Sequence, residues 1–118
     1  MKTLLLLPAL FIFSLNAEAA LTCQTKEAKL QAWSDSSNQA KVVVTTSKGT
    51  AQLGGTVHTF ITRANEELST FDLTDAKGKP ATLRVSTHLS NSRNQMSPTA
   101  SLTYGENKFY FPNCWALN

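Results

Sequence analysis

Cysteine is nearly missing from this chain: Cys23 and Cys114 are the only two among 118 residues. With no Cys-x-x-Cys spacing, a thiolate zinc site has nothing to stand on, and an even pair near the two extremities reads as one disulfide. Long apolar runs are missing too. The longest, Leu4 to Leu15 ("LLLLPALFIFSL"), contains Pro8 and falls well short of the roughly 20 residues that a spanning helix needs. Charged residues make up only 16% of the chain, and the net charge of +3 comes from scattered lysines and arginines rather than a patch. That pattern excludes nucleic acid as a partner and leaves a mild preference for anionic surfaces. The Gly-x-Ser-x-Gly elbow of hydrolases and the His-Glu-x-x-His pair of zinc proteases are both absent, as are internal repeats and any Pro- or Gly-rich linker.

What is present begins with a secretory pattern. A basic start at Lys2, the short apolar run and the small-residue site Ala17-Glu18-Ala19 predict a signal peptide over residues 1–19, followed by a single mature β domain over residues 20–118. Lipidation at Cys23 is disfavoured, because Thr22 and Ala20 stand where a small residue and a bulky aliphatic are wanted. It would also strand Cys114 as a lone thiol in an oxidising compartment. Export to the periplasm or the medium is therefore expected, with no stable membrane anchor. A Cys23–Cys114 bond would close almost the whole mature chain and bring the first and last strands into contact.

Local patterns favour strands. "AKVVVTT" (40–46) and "TVHTFIT" (56–62) are β-branched blocks, with a turn region expected at Gly49 and Gly54-Gly55 between them. "ATLRVSTHL" alternates Leu83, Val85, Thr87 and Leu89 with Arg84, Ser86 and His88, one buried face against one wet face. The polar stretch Asp75 to Pro80 predicts a hairpin loop, and Gly105-Glu106-Asn107 a three-residue one. Phe109 and Phe111 are expected to share a face, and Pro112 to end that ladder. "KEAKLQAW" is composed of good helix formers, yet Ala28, Leu30, Ala32 and Trp33 make no helical stripe, so alternation assigns it to a strand. The fold class is all-β: a small antiparallel β-sandwich or barrel of about seven or eight strands with its terminal segments joined by one disulfide.

No catalytic or metal site is expected, and no cofactor. His58 and His88 lie in strand patterns without a ligand at metal spacing, and a trio with a serine and Asp35, Asp72 or Asp75 is easily assembled by chance. Glu66-Glu67 cannot share a proton from an extended chain, because neighbours face opposite ways. Lys77 and Lys79 read as solubilising residues at a hairpin tip, and the tryptophans Trp33 and Trp115 as core or disulfide-packing residues, with Tyr110 a surface aromatic. The candidate binding element is the polar loop "SNSRNQMSPT" (90–99), in which Ser90, Asn91, Arg93, Asn94 and Gln95 offer hydrogen bonds and charge and Met96 a flexible apolar contact. "SDSSNQ" (34–39) is a weaker second loop.

These features fit a small exported non-catalytic binding or inhibitory module, monomeric, whose partner is an extracytoplasmic protein or glycan. The alternative is a structural subunit that associates through sheet edges, and behind it a small secreted hydrolase. Small bacterial lysozyme inhibitors have a comparable build; Ser101-Leu102-Thr103-Tyr104 lacks the glycine and the spacing of their Ser-Gly-x-x-Tyr signature, so no family is assigned on it.

Overall fold

The computed structural model describes residues 20–88 and 98–117. Nine strands follow one another: β1 (Ala20–Gln24), β2 (Ala28–Ser34), β3 (Gln39–Thr46), β4 (Gly49–Ile61), β5 (Glu66–Thr74), β6 (Pro80–His88), β7 (Thr99–Tyr104), β8 (Asn107–Phe111) and β9 (Cys114–Leu117). They form one antiparallel sheet in the order β8-β7-β6-β5-β4-β3-β2-β1-β9, a meander that curls into a nearly closed barrel. The predicted signal peptide and residues 90–97 of the candidate loop, with them Ser90, Asn91, Arg93, Asn94, Gln95 and Met96, lie outside the described residues.

Closure is made by the last two strands acting as one bent strand. β8 is antiparallel to β7 and β9 is antiparallel to β1, with only Pro112 and Asn113 between them. Proline has no N–H to give a ladder, so the break falls where pairing transfers from one neighbour to the other. At Cys114 the two sides of the barrel meet: its N–H donates to the Pro98 carbonyl at 3.0 Å beside β7, while its sulfur is bonded to Cys23 of β1. The two cysteines are direct cross-strand partners with Cα atoms 4.2 Å apart, and both are buried.

Alternation decides what fills the interior. Ala28, Leu30 and Ala32 of β2 point inward, as do Val42 and Val44 of β3, Leu83 and Val85 of β6, Ala100 and Leu102 of β7 and Phe111 of β8. "KEAKLQAW" is thus strand, as its alternation requires. Leu21, Tyr104 and Phe109 pack half-buried against this core.

Three hairpin turns share one construction. In Asp35–Gln39, Thr62–Glu66 and Asp75–Lys79 the first residue's side-chain oxygen accepts the N–H groups of the third and fifth residues. The fourth residue is left-handed: Asn38 (φ 66°), Asn65 (φ 60°) and Gly78 (φ 87°). Asn and Gly are the residues that adopt this conformation at least cost, and Asp or Thr the ones that can bond two N–H groups ahead. "SDSSNQ" is therefore a tight structural turn.

Three expectations are corrected. Gly54-Gly55 is not a turn: β3 and β4 connect at Ser47-Lys48, and both glycines lie inside a thirteen-residue β4. Gly55 is needed there because a Cβ would sit 1.9 Å from the Asp72 carbonyl oxygen of β5, so the two backbones approach too closely for any side chain. The β7–β8 turn has two residues, Gly105 and Glu106, since Tyr104 already pairs with Asn107. Trp115 is 44% exposed on the outside of β9, because Cys114 takes the inward position and its neighbour must face out.

Candidate functional site

The turns divide the barrel into two ends. The β1–β2, β3–β4, β5–β6 and β7–β8 turns gather at a mouth end, and the β2–β3 and β4–β5 turns lie at the other. At that other end three strands outrun the barrel. β3 stops at Gln39 opposite Thr56, but β4 continues through Val57-His58-Thr59-Phe60-Ile61, a β-branched and aromatic run that favours extended chain. β5 pairs with it as far as Ile61↔Glu67, and β6 pairs with β5 as far as Glu66↔His88. β7 gives out at Ser86↔Thr99. The result is a three-stranded arm with no strand paired to either edge among the described residues.

The arm is wet on both faces. On the inner face the Thr59 and Ser69 hydroxyls lie 2.8 Å apart, and Ile61 stands beside Glu67. On the outer face Phe60 stands beside Leu68, and the Ser86 hydroxyl donates to Glu66 Oε2. Phe60 is 53% and Ile61 64% exposed, the only large aliphatic or aromatic pair of adjacent residues so placed among the described residues.

The free edge of β4 has a defined hydrogen-bonding pattern. Val57 N–H donates outward to the Asn38 carbonyl at 3.0 Å, the last bond from the β3 side. In an antiparallel strand alternate residues present their N–H and C=O to the same side. Thr59 and Ile61 therefore turn theirs to the edge, where no strand lies beside them among the described residues. Such an edge is a template for another extended chain.

The arm is also where the candidate loop is rooted, since β6 ends at His88 and β7 starts at Thr99; Pro98, just before it, is half-buried and holds Cys114 through its carbonyl. The two histidines are not brought together. His58 aligns through Thr70 with Arg84, two strands over, and His88 lies four residues further along. They are separated by roughly 10 Å across the sheet and 13 Å along it. Glu66 and Glu67 open β5 and face opposite ways, as extended chain requires. Among the described residues no group of three or more His, Cys, Asp or Glu is placed to hold a metal ion. Asp35 and Asp75 are engaged in their turns. The Ser37 hydroxyl holds the Asp35 carboxyl below its ordinary range, with the Gln39 N–H helping, and the Tyr104 hydroxyl, 2.6 Å away, does the same for Asp75, with the Lys79 N–H helping.

Phe60 and Ile61 were legible as strand residues but not as a surface. The signal that could have revealed them is their adjacency: in a strand one of two neighbours must face outward, and the run from Val57 to Ile61 offers no partner strand of matching length in β3. Comparison with known proteins finds no matching family model, no similar curated protein and no similar solved structure.

Proposed function

We propose that this protein is an exported, non-catalytic binding module that recognises an extracytoplasmic protein by adding one of its extended segments to the free edge of β4. The observation that supports this reading is the arm itself: an unpaired edge carrying Phe60 and Ile61, held out from a rigid barrel that needs neither residue for its core. Main-chain bonds from Thr59 and Ile61 would supply affinity, and the alternate side chains specificity. The polar loop 90–99, the binding element expected from the sequence, is proposed as a further contact. The buried disulfide is consistent with an oxidising extracytoplasmic compartment, which favours export.

The test is capture from periplasmic and culture extracts by wild type, by Ile61→Lys and by Thr59→Pro, followed by mass spectrometry. A partner held by wild type and lost by both variants supports the reading. Equal capture by all three sinks it, and circular dichroism establishes that the variants are folded.

A second reading, assembly of copies edge to edge, is favoured by the sequence of that edge. Two β4 strands paired antiparallel about Phe60 would set Thr59 against Ile61 of the copy, using only the edge groups beyond Val57, and Phe60 against its own copy, compatible cross-strand pairs. Concentration-dependent dimers in size-exclusion chromatography, abolished by Thr59→Pro, would favour it over the monomeric binding module.

A further inference from the structure

The mouth end carries an independent feature. Lys26, Lys29, Lys48, Lys77, Lys79 and Lys108 lie in or beside its turns, whereas its acids are Glu27, Asp75 and Glu106. Asp75 is already committed to the N–H groups of Lys77 and Lys79 and to the Tyr104 hydroxyl. Both described arginines, Arg63 and Arg84, are elsewhere. Lysine ammonium groups are compact charges on flexible stems, suited to attracting an anion without imposing a fixed geometry on it.

Inside this ring of charge the barrel is incompletely filled. Val44 and Ala51 are short, and Phe109 stands to one side, leaving an open cleft of about 410 Å³ whose lining also includes Lys48, Tyr104 and one carboxylate, Glu27. Two hollows continue from it. One passes Glu27 and Ser47 to reach Lys26 and Lys29, and the other passes Ala51 and Tyr104 to reach Lys77 and Lys79. The volume lies in the range of small-molecule sites, and barrel mouths are a common place for them. An apolar slot in which Glu27 is outnumbered by Lys48 and the lysines of the two flanking hollows, and Asp75 is already hydrogen-bonded, suits neither a bare anion, which would leave the apolar wall wet, nor a neutral oil, which would leave the charge unused.

We propose that the mouth of the barrel binds a small amphiphilic anion, its apolar chain or ring against Val44, Ala51 and Phe109 and its single acidic group among Lys48 and the neighbouring lysines. The charge complementarity carries the choice of an anion, and the apolar slot the choice of an amphiphile.

Decanoate below its micellar range, with decanol and acetate as comparators, tests this by isothermal titration and by ¹⁵N–¹H spectra of the oxidised protein. One saturable site is expected, with shifts confined to residues 44–51 and 104–109, weakening with salt, and with decanol and acetate binding at least tenfold less tightly. Lys48→Glu, at an exposed turn, should weaken decanoate about fivefold. Ala51→Leu, which fills the slot, should abolish binding; the spectrum of that variant shows whether it is folded, and if it is not, Lys48→Glu alone decides. Decanol binding as well as decanoate, shifts spread over the whole surface, or indifference to Lys48→Glu would overturn the proposal.

Discussion

At the residue scale the molecule contains both satisfied and unsatisfied polar groups, and the difference can be measured. Thr22 sits on the outer face of β1 between Gln31 and Trp115, yet it is buried and its hydroxyl has no hydrogen-bond partner. A buried unpaired hydroxyl costs about 1–3 kcal/mol. Thr22→Val keeps the shape and removes that cost, so the variant should be at least as stable as wild type and up to about 1 kcal/mol more so, read as a higher urea midpoint with unchanged slope. Tyr104 is the opposite case. Its hydroxyl donates to Asp75, which pushes the phenol pKa up and the carboxyl pKa down. The lowered carboxyl gives stability that is present above about pH 4 and lost as pH falls through the folded-state value; the raised phenol gives stability that is present below about pH 10 and lost as pH rises through its own. Tyr104→Phe should therefore remove the alkaline limb and shrink the acid one, leaving the part due to Asp35 and to the Lys77 and Lys79 N–H groups that still hold Asp75. Urea midpoints taken from pH 2 to 11 check this, and an unaltered pH profile would show that the pair contributes nothing.

At the scale of elements, β4 is the strand whose two halves live in different surroundings. Among the described residues it pairs with β3 alone from Gly49 to Leu53, with β3 and β5 from Gly54 to Thr56, and beyond that with β5 alone. Proline scanning exposes the difference. Thr59 turns its N–H to the open edge, so Thr59→Pro removes no ladder bond and should cost less than about 1 kcal/mol, whereas Phe60→Pro removes a bond to β5 and should cost about 3 kcal/mol or unravel the arm. Equal costs at the two positions would place the edge on the wrong side of the strand. Much of this element was readable beforehand: the block "TVHTFIT" marks its outer half, and the alternation in "ATLRVSTHL" gives the partner face of β6. Its continuity was not. Gly54-Gly55 looks like a turn because glycine pairs usually supply positive φ, and nothing local reveals that Gly55 is there to let the Asp72 carbonyl approach. The arm was hidden for the same reason. An overhang is a difference in length between two strands, and it becomes visible only once their register is known. The turns were better signposted, since Asp35, Thr62 and Asp75 each precede by three a residue able to take the left-handed conformation.

For the whole molecule, the cysteines were the most informative residues, because a covalent bond between them fixes topology in a way no propensity can. They tie β9 to β1, and β9 is the weakest member of the sheet: four residues long, paired with β1 alone apart from the Cys114 N–H bond to Pro98. The bond spans 91 positions, for which the chain-entropy model gives about 4–5 kcal/mol. A domain of this size holds only about 5–15 kcal/mol in total. The double variant Cys23→Ala with Cys114→Ala, which avoids free thiols, should thus lower the melting temperature by about 15–30 °C. The loss should also be uneven. Without its staple β9 can leave β1 while β2 to β7 keep every neighbour, so amide exchange should quicken first at Cys114–Leu117 and along the facing edge of β1, with the arm and the mouth of the barrel little changed. Uniform acceleration across all strands would mean that the barrel opens as one unit and that closure through Pro112-Asn113 is more than a hinge. A variant as stable as wild type would mean that backbone pairing alone closes the sheet and that the disulfide is dispensable to the fold.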